Sequence, residues 1–185
     1  MGRPPRAREP IKRAALELFV EQGIHATGIR EIARHAGCSE AALYRHWANK
    51  DALVAGLFHA HLGEVVDLLD AAIAGSSGLA DRIHAACHAA FALYDREPLV
   101  FRFVLLVRYE LAAHITPGMR MPQDVIAELF HEVEPDPHQT TLLAAAAMGT
   151  FLQVADHVIF GRLEAPLSGH ADAVSRLVLR MIGAG

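Results

Sequence analysis

Cysteine is almost absent from this chain: Cys38 and Cys87 are the two in 185 residues, far apart and in no CxxC spacing. That excludes a disulfide framework and a paired-thiolate metal knuckle, and it fits a reducing compartment. Lysine is equally scarce, Lys12 and Lys50 against fifteen arginines, and aromatics reach only 6% with a single tryptophan. No unbroken apolar run approaches the roughly 20 residues that span a bilayer. The apolar stretch Leu99 to Val107 is interrupted by Arg102, so no membrane partner is expected. The opening MGRPPRAREP is basic, and its charges run on into a helical pattern, unlike a secretory signal. A cytoplasmic location is the expectation.

What is present is a globular composition, 52% hydrophobic and 21% charged, in a chain long enough to bury a sizeable core. The net charge of −4 hides a segregation. Residues 1–50 hold nine Arg/Lys against five Glu, a net of +4, and residues 51–185 hold eight Arg against sixteen acids, a net of −8. A basic head on an acidic body is the footprint of a small DNA-reading module joined to a part with another partner.

Almost everything reads as helix. Ile11, Ala14, Ala15, Leu18 and Phe19 make a 3.6-residue stripe over Ala7 to Gln22, closed by Gly23. Ile29 to Ala36 is a short second helix with Ile32, Ala33 and Ala36 inward. Gly37 breaks it, Ser39 is a good N-cap, and Glu40 to His46 is a third. Asn49 caps a long helix from Lys50 to about Ile73, and Gly75-Ser76-Ser77-Gly78 is the clearest loop. Further helices are expected at about Leu79–Arg96, Leu99–Ala113, Gln123–Val133, His138–Arg162 and His170–Ile182, broken at Glu97-Pro98, Thr116-Pro117-Gly118, Met121-Pro122, Glu134–Pro137 and Pro166–Gly169. Leu99–Ala113 also suits a buried strand, but it has no strand partner. The fold class is all-α with about nine helices. Residues 1–49 are expected to form a three-helix domain, and 50–185 a larger helical one.

A helix-turn-helix needs a small residue where its helices cross, a residue tolerating positive φ in the turn, and apolar anchors on both helices. Ala33 supplies the first, Gly37 the second, and Ile32, Ala36 and Leu43 the third. Short side chains at Ala41 and Ala42 let the second helix lie deep in a major groove. Residues of about 8–54 resemble the N-terminal domain of the TetR family of bacterial transcriptional repressors. The resemblance rests on Ile11, Ala14-Ala15, Leu18-Phe19, Gly23, Ile32-Ala33, Ala36-Gly37, Ser39, Leu43-Tyr44, His46, Lys50 and Leu53. It covers about a quarter of the chain, and the rest agrees in layout.

The resemblance and the chemistry together assign Tyr44, His46 and Lys50 to phosphates, with Ser39 and Thr27 as further backbone contacts. Arg30, Glu40, Ala41, Ala42 and Arg45 are the base-reading candidates, the two arginines first, because Arg to guanine is the commonest specific contact. The basic arm Arg3 to Arg8 adds phosphate or minor-groove contacts. Gly28 stands where many relatives have Thr, Ala41-Ala42 where Thr or Gly is common, and Trp47 where Phe is usual. These departures bear on which operator is read.

One recognition helix reads too few base pairs, so a homodimer on a palindromic duplex is expected. The last two helices offer the interface: Leu143, Ala146, Ala147, Thr150 and Val154 on one, Val174, Leu177, Val178, Met181 and Ile182 on the other. The resemblance also implies a small-molecule effector pocket, for which His61, Cys87, His88, Phe91, Tyr94, Phe101, Tyr109, Phe130, Phe151, Gln153 and His157 are polar or aromatic residues at mostly apolar positions. Ligand binding there releases a repressor. No cofactor and no metal are expected. Twelve histidines, with His84 and His88 at i, i+4 beside Cys87, keep a metal-responsive regulator as an alternative, although no third ligand is identifiable. A helical-bundle enzyme is the other alternative, with only Glu97 and Glu110 or His131-Glu132 as catalytic material.

Overall fold

The computed structural model describes residues 8–107, 115 and 118–183. Among them are nine α-helices and no strand: α1 Arg8–Gln22, α2 Ile29–His35, α3 Glu40–Tyr44, α4 Lys50–Ala74, α5 Leu79–Arg96, α6 Pro98–Val107, α7 Pro122–Phe130, α8 Pro137–Ile159 and α9 Ala171–Met181. A 3-10 turn, Leu167–His170, leads into α9. The all-α expectation holds, with helix ends within a few residues of the sequence reading. The segment Leu99–Ala113 is helical as far as Val107, and the remainder of that expectation lies outside the described residues.

The chain divides into two compact units, residues 1–61 with 98–117, and residues 62–97 with 118–185. In the first, α1 buries Ile11, Ala14, Ala15, Leu18 and Phe19, α2 buries Ile32 and Ala33, and α3 buries Leu43. Leu53, Leu57 and Phe58 of α4 complete that core, and Phe103 of α6 stacks on Phe19 at 6.0 Å between ring centroids. Each fully buried Phe or Leu contributes about 1.5–3 kcal/mol relative to exposure, so this small unit rests on about ten such side chains. Asn49 caps α4, its Oδ1 accepting from the Ala52 N–H at 2.7 Å.

In the second unit, Val66 and Leu69 of α4 pack with Ala86 of α5 and Val125 of α7. Helix α5 packs along α9 and α7 along α8. Asp95, near the end of α5, accepts the backbone N–H groups of Leu167 (2.8 Å) and Ser168 (2.9 Å), which caps the turn before α9. Burial would raise the Asp95 carboxyl, but these bonds and one from the Ser168 hydroxyl outweigh it and hold the group below its ordinary value.

Helices α4 and α8 are long and apolar enough to cross a membrane by length and composition, with mean hydropathy 1.4 and 1.5 over their most apolar stretches. Scanning for unbroken apolar runs misses both. In α4 the apolar residues are core. In α8 only 17% of the stretch is buried, most of the helix's larger apolar residues are half-buried, and Leu142 and Ile159 are exposed.

Candidate nucleic-acid interface

The turn between α2 and α3 is built as its residues dictate. Gly37 sits at φ +67, in the left-handed region that favours glycine. The Cys38 N–H reaches back to the Ala33 carbonyl at 2.9 Å. Ser39 caps α3, its Oγ accepting from the Ala42 N–H at 3.2 Å. Ile32, Ala33 and Leu43 are buried beneath the turn. The opposite face exposes Arg30 on α2 and Ser39, Glu40, Ala41, Tyr44 and Arg45 on and beside α3, with Tyr44 51% accessible. A phenol that large, left in water on a short helix, is positioned to donate to an external acceptor.

Three sequence expectations change here. Thr27 is fully buried, and its hydroxyl donates to the carbonyls of Gly23 (2.8 Å) and Leu18 (3.3 Å), which leaves it no outward surface. Ala42 is also buried, facing the core rather than a groove, so Ala41 alone offers a methyl outward. Lys50 directs its ammonium inward: Nζ donates to the Ile24 carbonyl at 2.9 Å and the Thr27 carbonyl at 3.1 Å. An ammonium has three hydrogens, so one remains for a phosphate. His46 is half-buried with its ring 5.5 Å from that of Trp47, and the Arg8 guanidinium lies 6.0 Å from the Trp47 ring. Arg3 and Arg6 lie outside the described residues.

Behind this face, Glu17 ties α1 to α2. It accepts from Arg13 Nε at 2.9 Å and pairs with His35 Nε2 at 3.0 Å. The Arg13 bond, with His35 adding to it, holds the Glu17 carboxyl below its ordinary value despite the opposing effect of burial.

The residues singled out for an effector pocket are distributed. Phe91 and Tyr94 of α5 are buried, and Phe151 of α8 packs on Phe91 with ring centroids 4.8 Å apart. Phe130 is buried in the second unit and Gln153 is exposed. Cys87 is half-buried, and burial pushes its thiol up to about 11. His157 Nδ1 lies 2.8 Å from the Gln153 carbonyl, on its own helix. His61 and Phe101 are half-buried in the first unit, and Tyr109 lies outside the described residues. His88 is a correction: its ring is 43% exposed and meets Asp172 of α9 at 2.7 Å, so it belongs to a surface cluster. An open groove of about 310 Å³ between Ile73, Val125 and Leu129 is rimmed by Asp70, Arg82 and Glu132, and holds none of these residues.

On the expected dimer face, Val174, Val178 and Ala147 are buried within the protomer and cannot reach a partner. Leu177 (47%) and Met181 of α9 and Ala146 of α8 are exposed, while Leu143, Thr150 and Val154 are half-buried. The sequence stripe missed Leu142 (52%) on α8 and Phe160 (71%), Ile159 and Leu163 at its end. Of the catalytic material, Glu132 is held by both terminal nitrogens of Arg82, at 2.6 and 2.5 Å, and Glu110 lies outside the described residues.

Residues 11–57, the segment just described as α1 to the start of α4, match the family "Bacterial regulatory proteins, tetR family". The helix-turn-helix segment is thus similar to the DNA-binding part of TetR-family regulators. A TetR-like transcriptional regulator of Rhodococcus sp. RHA1 superposes on the chain with TM-score 0.77 at 25% identity, covering 99% of this chain and 100% of that one. One from Marinobacter aquaeolei VT8 gives 0.78 at 20% identity, over 94% of each chain. The HTH-type transcriptional activator FasR of Mycolicibacterium smegmatis is 28% identical over 121 residues, which are 63% of this chain. The match spans 55% of FasR, about half its length. The all-α architecture, with an N-terminal helix-turn-helix ahead of a helical body, is thus that of solved TetR-family proteins.

Proposed function

We propose that this protein is a ligand-responsive transcriptional regulator of the TetR family, a repressor that binds a palindromic operator as a homodimer and leaves it when a small molecule binds the body. The observation that carries the reading is the exposed face of Arg30, Ser39, Glu40, Ala41, Tyr44 and Arg45 over a buried, glycine-turned helix pair. Arg30 and Arg45 read bases, Tyr44 and the remaining Lys50 hydrogen hold phosphates, and His46 and Ser39 add to the backbone contacts. Residues 1–49 are the reading module, and residues 50–185 receive the effector and form the dimer. The exposed apolar residues Leu142, Phe160, Leu177 and Met181 support a second copy of the chain as the partner. The α4 helix, which begins at Lys50 and runs without a break to Ala74, is the route by which the effector acts on the reading module. Binding, rather than catalysis, is the activity, and the protein works in the cytoplasm.

The test is a gel-shift titration of the purified chain on the DNA flanking its own gene, at several salt concentrations. The expected result is specific binding to an inverted repeat at two protomers per half-site pair, falling steeply with salt. Equal affinity for that DNA and for random duplex would sink the reading. Screening small molecules for release of the bound DNA then identifies the effector.

A further inference from the structure

We propose that His84, His88 and Asp172 form a binding site for a divalent transition-metal ion, with Zn²⁺ the best match. His84 and His88 stand one turn apart on α5, their rings stacked with centroids 4.3 Å apart. Both Nε2 atoms converge on one oxygen, Oδ1 of Asp172 in the first turn of α9, at 2.8 and 2.7 Å. The three donor atoms all lie within 4.8 Å of one another. The third ligand that the i, i+4 histidine pair lacks in sequence is therefore supplied by the fold, 84 residues away, and it is a carboxylate and not the neighbouring thiol.

The donor set selects the ion. Two imidazoles and one carboxylate suit Zn²⁺ and its first-row neighbours, whereas Mg²⁺ and Ca²⁺ call for mostly oxygen ligands. Tetrahedral Zn²⁺ with bonds of about 2.0–2.1 Å holds its ligand atoms about 3.4 Å apart. The two Nε2–Oδ1 separations must therefore open by about 0.6 Å to admit the ion. The side chains of His84, His88 and Asp172 are 52%, 43% and 59% exposed, so small rotations achieve this, and the fourth position faces water. Each imidazole then carries its hydrogen on Nδ1, exchanged through solvent, and offers the Nε2 lone pair to the metal. The helix presets two of three ligands, which reduces the ordering cost of binding. Both residues of the pair and Asp172 lie in one compact unit, so the site does not depend on the DNA-binding reading.

The experiment uses the untagged full-length chain, stripped with chelator, titrated calorimetrically with Zn²⁺ and by visible absorption with Co²⁺. The expected result is one ion per chain, Co²⁺ bands of a low-coordinate site, and a Zn²⁺-dependent rise in Tm. His88→Ala, His84→Gln and Asp172→Asn each lower the affinity at least about tenfold, with helicity by circular dichroism unchanged. His131→Ala, an exposed histidine elsewhere, binds as the parent does. Absence of stoichiometric binding overturns the proposal, and so does equal binding by the parent and all three site variants. A Tm that Zn²⁺ leaves unmoved in the parent reduces the cluster to an ion pair.

Discussion

The Lys50 ammonium donates to the Ile24 carbonyl at 2.9 Å, and so pins the loop between α1 and α2 to the first turn of α4. A residue chosen from the sequence for a phosphate contact thus also holds the reading module together. Lys50→Met is expected to lower stability by about 1.5 kcal/mol, the scale of a hydrogen bond from a charged group, as well as weakening DNA binding. Urea unfolding separates the two effects. A Lys50→Met chain as stable as the parent but poor at binding DNA would leave phosphate contact as its whole role.

Thr27→Val keeps the shape of a buried side chain and removes the hydroxyl that serves the Gly23 and Leu18 carbonyls. A loss of about 1–2 kcal/mol is expected for leaving those acceptors unpaired. Affinity for DNA, measured well below the unfolding transition, is expected to stay within about twofold, well under the cost of a lost charged contact.

Tyr44→Ala, Arg30→Ala and Arg45→Ala are expected to behave in the opposite way, since all three residues are exposed. Stability changes within about 0.5 kcal/mol are expected. Each arginine variant loses about 1–3 kcal/mol of discrimination at one base pair. Tyr44→Ala weakens all duplexes evenly, in keeping with phosphate contact. Gel shifts against a panel of single-base operator variants distinguish base reading from backbone contact.

Asp95 gives the body a pH dependence of defined sign. Its carboxyl is held below the ordinary value in the folded chain, so it contributes stability that is fully present above the unfolded value, near 3.9. That contribution disappears as pH falls through the lower, folded value. Asp95→Ala is expected to cost about 1 kcal/mol at neutral pH, as for a lost helix cap. Its deficit relative to the parent shrinks in acid. A deficit constant from pH 7 down to acid unfolding would contradict the assignment.

Leu177→Glu and Leu142→Glu place charges in the exposed apolar surface of α9 and α8. Sedimentation velocity is expected to show a monomer for either variant where the parent is a dimer, and operator affinity falls with it. A monomeric parent would refute the dimer directly.

The helix-turn-helix was legible in the sequence because everything that builds it is local. Gly37, Ser39 and the Ile32, Ala33 and Leu43 anchors lie within a dozen residues, and period and turn chemistry place them. The side chains that failed the reading fail for one reason. Thr27 and Ala42 sit beside exposed residues, and only tertiary packing decides that they turn inward. Val174 and Ala147 belong to apolar stripes with two possible neighbours, and composition does not distinguish a packed helix from a partner. Contacts across long separations were beyond reach altogether, whether Lys50 to Ile24, Asp95 to Ser168, or His84 to Asp172 over 88 residues. Periodicity records which face of a helix is apolar, but not what it meets.

Trp47 is the only tryptophan in the chain, and it lies at 9% exposure between α3 and α4, beside His46 and Arg8. Its Nε1 would be 3.5 Å from a Cβ added at Gly56, on the next turns of α4. All the indole emission of this protein therefore comes from the module proposed to grip DNA, without background from the body. The chain carries its own optical reporter, and a change in emission on adding an effector would time the passage of its signal from the body to the DNA-reading end without any label.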